Sequence, residues 1–300
     1  MNSIKVPGNI KGERVDAVLS IAVEGLSRSS LKSRIEQLFV NGQRAKLSRK
    51  VSSGDSIEYN LKKEISVNIE AEDIALDIIY EDENVFVINK PAGMVVHPAA
   101  GNYSGTMAQG IMHRLQETES DFLASDKRPG IVHRLDKDTS GIIIAAKNTA
   151  ALEFLSGQFR ERRASKTYLA IINGRLPGKR GSIESLIGRD RQNRKKMTWK
   201  TENGKSARTN YKVLRRWSEK SFVALSPKTG RTHQLRVHML KMQTAITGDP
   251  IYARKTEGYS LMLHAYKLRI TLPGEDKITE FRAPLPARFK SAIISLSGRD

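Results

Sequence analysis

Cysteine is absent from this chain of 300 residues. That excludes disulfides, thiolate metal ligands and cysteine nucleophiles together, and it is compatible with a reducing compartment. Long apolar runs are missing too: none approaches the ~18 residues that a membrane-crossing helix needs. The opening stretch, MNSIKVPGNIKGERVDAVLS, holds no apolar core of the kind a secretory signal carries. The expectation is therefore a soluble cytoplasmic protein. LPGKRGS contains a Gly-Lys pair but lacks the spaced first glycine of a phosphate-binding loop, and no GxSxG elbow is present. His233 and His238 stand five positions apart, so they do not share one helix face, and no metal site is expected. Internal repeats and low-complexity tracts are lacking.

Acidic residues are scarce relative to basic ones. The chain carries 51 Lys and Arg against 32 Asp and Glu, a formal net charge of +19. Such a surplus points to a polyanionic partner, because Lys and Arg displace counterions from a phosphate backbone. An apolar content of 39% is enough to fill a core, so disorder is not expected.

The chain divides by texture into a small module over residues 1–62, a charged linker over 63–73 and a larger domain over 74–300. In the small module, Ser27 and Ser29 are candidate caps for a helix over 29–39. Leu31, Ile35, Leu38 and Phe39 lie on one stripe at helical spacing, which leaves Arg28, Lys32 and Arg34 outward. Val40-Asn41-Gly42 signals a turn, followed by the basic residues Lys46, Arg49 and Lys50. Residues 51–55 read as a turn and 56–60 as a strand. The competing reading of these six cations is an ordinary solvated face; their clustering favours RNA contact.

The larger domain opens with a buried-strand run, Val85 to Ile88. Thr149 is the expected cap of a helix reaching Arg163, with Leu152, Leu155 and Phe159 inward and Arg160, Arg162 and Arg163 outward. KTYLAIING, SARTNYKVL and FVALSP alternate as strands do. Strands dominate without a regular βαβ rhythm. The expected class is α+β: a mostly antiparallel mixed sheet with peripheral helices, preceded by a small N-terminal α/β module.

Two segments are dense in chemistry. In PGIVHRLDKDTSGIIIAAKN, a polar loop from His133 to Ser140 precedes a fully apolar strand. A carboxylate there is held by a rigid scaffold yet remains reachable. The plainer reading is a turn held together by its own ion pairs, and physics alone leaves the two even. In SPKTGRTHQLRVHM, Lys228, Gly230 and Arg231 precede a helix-like stretch. One of its arginines suits a phosphate, or pairs with a carboxylate.

These motifs carry a resemblance. SRSSLKSRIEQLFVNGQRAKLSRKVSSGDSIEY resembles the S-four-type RNA-binding domain. HRLDKDTSG resembles the catalytic signature of the RluA family of pseudouridine synthases. IIYEDENVFVINKPAGMVVHPAAGN, KTYLAIING and TGRTHQLRVHM are similar to that family's other motifs, and the likeness spans about residues 12 to 290. Ala99 stands where many such sequences have glycine, and Gln116 to Lys127 reads as a variable loop. IGRDRQNRKKM followed by GKSARTNY is similar to members that act on large-subunit ribosomal RNA.

The resemblance implies roles. Asp136 would be the catalytic carboxylate, Tyr168 the active-site tyrosine and Arg236 the arginine that pairs with Asp136. Arg134 and Thr139 would shape the loop, Arg231 would touch the RNA backbone, and Lys90 and His97 would contact substrate. The implied reaction isomerises uridine without redox change, so no cofactor is expected. Asp136 would either attack C1′ or remove the 2′ proton. The expected partner is structured RNA, foremost large-subunit ribosomal RNA or a pre-ribosomal particle, with no membrane and no metal, and the chain acting as a monomer. Rival expectations are a synthase for transfer RNA, a non-catalytic ribosome-assembly factor, and a hydrolase pairing Asp136 with Asp138.

Overall fold

The computed structural model describes residues 1–23, 26, 28, 31, 34–62, 70–99, 101–116, 130–253 and 258–298. The chain falls into two compact units, Met1–Val67 and Asn68–Asp300.

The first unit holds strands β1 (Asn2–Lys5), β2 (Glu13–Arg14), β3 (Ile35–Val40), β4 (Gln43–Arg44), β5 (Lys50–Val51) and β6 (Ser56–Leu61), with helix α1 (Val15–Ala22). The order β1-β6-β3-β4 makes an antiparallel sheet, and β2 pairs with β5. Val15, Val18 and Leu19 of α1 pack with Leu31, Leu38, Val40 and Ile57.

The helix expected over 29–39 is corrected here. It does not reach Phe39, because Ile35–Val40 is a strand paired with β6. The cause is the turn that follows. Asn41 and Gly42 both have positive φ, 52° and 74°. That is the two-residue hairpin turn that continues the twist of two paired strands, and it demands a strand on each side. Lys32, Ser27 and Ser29 lie outside the described residues.

The second unit holds β7 (Ile78–Glu81), β8 (Val85–Lys90), α2 (Met107–Gln116), β9 (Ser140–Ala146), α3 (Thr149–Arg160), β10 (Ser165–Asn173), β11 (Arg180–Arg189), β12 (Met197–Thr198), β13 (Lys205–Arg216), β14 (Lys220–Pro227), α4 (Gln234–Lys241), β15 (Leu263–Thr271), β16 (Ile278–Arg282) and α5 (Ala287–Ser297). Ten strands form one sheet in the order β12-β11-β13-β14-β10-β15-β9-β8-β7, with β16 also on β15. It is an α+β mixed sheet, antiparallel except where β15 runs parallel to β9. The cap of α3 is Asn148, whose side chain accepts from the Ala151 N–H at 2.8 Å, and the helix ends at Arg160 rather than Arg163. The loop read over Gln116 to Lys127 lies, beyond Gln116, outside the described residues.

β8 and β9 are buried on both faces, which is why they read as continuous apolar runs. Ile143 and Ile144 are fully buried, each worth roughly 1.5–3 kcal/mol of transfer free energy. The parallel seam is narrow: His264 faces Ser140 and Ala265 faces Gly141. Gly141 has φ +112°, and a Cβ there would strike the Ala265 backbone. Only glycine lets the chain enter β9 at this point. The polar loop before β9 therefore opens beside the seam, fixed by a rigid strand on its C-terminal side.

Candidate active site

Asp136 sits in that loop. Its carbonyl accepts the Thr139 N–H at 3.1 Å, which closes the turn. Lys90 pins the turn. Its ammonium donates to the carbonyls of Lys137, Pro91 and Met94 at 2.9, 2.8 and 2.8 Å. The expectation that Lys90 touches substrate is corrected: its side chain is fully buried and its three donors are spent on carbonyls. Burial lowers its pKa to about 8, against the opposing pull of Asp138 and Asp136. His97 is placed outside the cavity described next; its Nδ1 hydrogen goes to the Pro98 carbonyl at 3.1 Å.

Beside the turn lies a cavity of about 470 Å³, within the size range of small-ligand pockets. It brings together Asp136, Tyr168, Arg236, Arg134, Thr139 and Arg231, six residues that sequence reasoning singled out. Arg160, Arg162, Lys166 and Lys228 line it as well, so among the described residues Asp136 is the one carboxylate in a cationic cavity. Such a lining favours an anionic ligand.

Arg236 organises the centre. Its Nη1 donates to Asp136 Oδ2 at 3.2 Å. Its Nε and Nη2 each donate to Asp249 at 2.7 Å, a two-pronged ion pair. The Arg236 side chain is 3% exposed, Asp249 is sealed at 0% and Asp136 keeps 22%. Burial works against the Arg236 charge, but the hydrogen bonds and charge of Asp249, aided by Asp136, hold its pKa above the ordinary value. Asp249 Oδ1 also accepts the N–H groups of Ile251 and Tyr252 at 2.9 and 3.1 Å. The result is a fixed cation aimed at a reachable carboxylate.

Tyr168 lies on β10 between Leu225 and Ala265, where the register shifts after Thr167. Burial, then the charge of Asp136, push its phenol up, so the hydroxyl stays protonated at neutral pH. Gln234 shapes the far wall. Its Oε1 accepts from Arg231 N–H and Thr229 Oγ1 at 3.0 and 2.7 Å, and its Nε2 donates to Arg208 carbonyl and Thr209 Oγ1, both at 3.0 Å. His233 caps α4 in the left-handed region, φ 54°, a conformation that costs of order 1–3 kcal/mol and collects at functional sites.

Asp249, Tyr252, Gln234 and Lys166 were not singled out from sequence. No spacing rule ties Asp249 to Arg236. Among the described residues no group of three or more His, Asp or Glu side chains is placed to hold a metal. In the first unit, Lys46 and Lys50 are exposed and Arg34 and Arg49 half-buried. Arg28 is exposed and donates to Asp16 at 3.1 Å.

A buried arginine holding a reachable carboxylate in a cationic cavity suits an anionic ligand. Comparison with known proteins agrees. A family model described as RNA pseudouridylate synthase matches residues 84–241. A ribosomal large subunit pseudouridine synthase D from Borreliella burgdorferi is 42% identical over 285 residues, covering 92% of this chain and 87% of that one. An uncharacterized RNA pseudouridine synthase, YlyB, from Bacillus subtilis is 38% identical over 302 residues, covering 99% of each. A solved structure, human RNA pseudouridylate synthase domain containing 1, superposes with a TM-score of 0.59 at 29% identity, over 72% of this chain and 86% of that one. The chain belongs to the RNA pseudouridylate synthase family. It is an isomerase that acts on RNA.

Proposed function

We propose that this enzyme converts uridines to pseudouridines in large-subunit ribosomal RNA, with Asp136 as the reacting carboxylate. One observation carries the assignment of Asp136: among the described residues it is the single carboxylate of the cavity, and Arg236, fixed by Asp249, holds it. The substrate class rests on relatives named for the large ribosomal subunit, among them the Borreliella protein at 42% identity.

The chemistry follows. The C1′–N1 bond breaks, the uracil turns, and a C1′–C5 bond forms. The proton on C5 leaves and N1 gains one, so atoms and charge balance with no redox step. Asp136 serves the first step either as nucleophile at C1′ or as base toward the 2′ proton. Arg236 leaves Oδ1 of Asp136 to the substrate. Tyr168 offers a ring for the uracil to stack on. Extruding the base costs roughly a few kcal/mol. Phosphate contacts from Arg134, Arg160, Arg162, Lys228 and Arg231 offset that cost.

The first unit serves as an S-four-type RNA-binding domain, with Arg28, Lys32, Arg34, Lys46, Arg49 and Lys50 meeting phosphates. The enzyme acts as a cytoplasmic monomer. The test is tritium release from RNA labelled at uridine C5. Release from large-subunit ribosomal RNA and not from transfer RNA supports the reading. Release from transfer RNA alone overturns the substrate class, and release from neither overturns the reaction on free RNA.

A further inference from the structure

Arg236 is not the only donor near Asp136. His233 Nε2 stands 3.8 Å from the same oxygen, Oδ2. On the opposite side of the ring, His233 Nδ1 lies 2.8 Å from the Tyr252 hydroxyl. That hydroxyl already accepts the backbone N–H of Met197 at 2.7 Å. Its own hydrogen is free to go to His233 Nδ1, and in that arrangement the imidazole hydrogen sits on Nε2, toward Asp136. The other neutral tautomer would turn a nitrogen lone pair on a carboxylate oxygen, which repels it. The ring has little freedom, being half-buried and edge-on to Tyr252 at 5.6 Å between centroids. No protein donor reaches Oδ1 of Asp136 among the described residues.

We propose that His233 is a positioning residue of the isomerisation, donating its Nε2 hydrogen to Asp136 Oδ2 and held in that tautomer by Tyr252. The proposal rests on the reading of Asp136 as the reacting carboxylate. Two donors on one oxygen stop rotation of the carboxylate and present Oδ1 to the ribose. The 3.8 Å separation is longer than a hydrogen bond, and it closes when substrate fills the cavity, as catalytic hydrogen bonds commonly do. Burial lowers the pKa of His233 despite Asp136 and Asp249, with Arg236 and Arg134 acting in the same direction as burial, so the ring is neutral at neutral pH. The strained backbone at His233 has a purpose on this account: it swings the ring between Tyr252 and Asp136. The Met197 N–H fixes Tyr252 from a backbone group rather than from a mobile side chain.

The test compares His233→Gln with His233→Leu. Both bear the same left-handed strain, but only glutamine keeps a donor. Single-turnover tritium release from C5-labelled large-subunit ribosomal RNA gives the rate, and filter binding gives RNA affinity. His233→Leu should lose about a hundredfold in rate, with affinity within twofold of the parent. His233→Gln should regain most of that loss, and Tyr252→Phe should fall between. Equal rates for the leucine and glutamine variants overturn the proposal, as does a leucine variant within threefold of the parent. The imidazole nitrogen shifts of the ¹⁵N-labelled full-length parent provide a readout apart from activity. A hydrogen on Nε2 supports the proposal; a hydrogen on Nδ1 alone overturns it. Full activity in Asp136→Asn would defeat the reading of Asp136 instead, while leaving the tautomer measurement to stand or fall by itself.

Discussion

Asp249 lies thirteen residues beyond Arg236 and takes two of its nitrogens, leaving the third for Asp136. Asp136 is thus aimed by a cation that is itself aimed by a sealed carboxylate. Asp249→Asn removes the charge that compensates Arg236. Losing one member of a buried pair costs roughly 3–5 kcal/mol. The variant should lose about that much stability in urea unfolding, and Arg236→Lys, which cannot make the two-pronged pair, should also lose activity. A stability loss below about 1 kcal/mol contradicts this account of Asp249.

Gly141 guards the seam beside the loop that carries Asp136. Alanine there meets the Ala265 backbone and must hold a φ that L residues avoid. Gly141→Ala should lower stability by at least about 2 kcal/mol and reduce the rate as the Asp136 turn shifts. Thermal unfolding and single-turnover rates check both. Parent-like values in each would show that the seam tolerates a side chain.

These two residues mark what the sequence made legible and what it did not. The cluster HRLDKDTSG placed Asp136 in a loop before an apolar strand, because burial on both faces leaves a continuous run such as GIIIAA. TGRTHQLRVHM placed Arg236 on a helix. Asp249 and Tyr252 stayed invisible, because their importance depends on a tertiary meeting that no local period encodes. Lys90 misled for a related reason: one of its three carbonyl partners lies 47 residues away, so nothing local showed that its donors are spent inside the fold. The helix expected over 29–39 stops short of Ile35, because the Asn41-Gly42 turn makes 35–40 a strand, in which the buried pair Leu38 and Val40 stands two residues apart rather than at helical spacing.

Lys166 supplies a pH test. Burial lowers its pKa to about 8, from 10.5. The folded protein gives up this proton before the unfolded chain does. Between about 8 and 10.5 the unfolded chain therefore binds more protons, and the destabilising effect of the buried charge fades as pH rises. RNA binding should run the opposite way, because a cation lining the cavity is lost over the same window. Parent affinity at fixed salt should fall as pH rises through about 8, and Lys166→Met should be weaker at neutral pH and flatter across the window. Parallel profiles for parent and variant would contradict a phosphate contact by Lys166.

Deleting residues 1–67 removes a compact unit rather than part of one. The truncated enzyme should keep its fold, bind ribosomal RNA more weakly and show a shallower salt dependence. The log–log slope should shrink by roughly 0.7–0.9 for each phosphate that the first unit neutralises in the intact enzyme. Binding titrations across a salt series check this. An unchanged slope and affinity would remove the first unit from RNA docking.

The most direct measurement is tritium release from uridine C5 of large-subunit ribosomal RNA by the parent and by Asp136→Asn, with RNA binding measured alongside. The account predicts release by the parent, loss of at least a thousandfold in the variant, as befits removal of the reacting group, and equal RNA affinity for the two. Release by Asp136→Asn within about tenfold of the parent would contradict it.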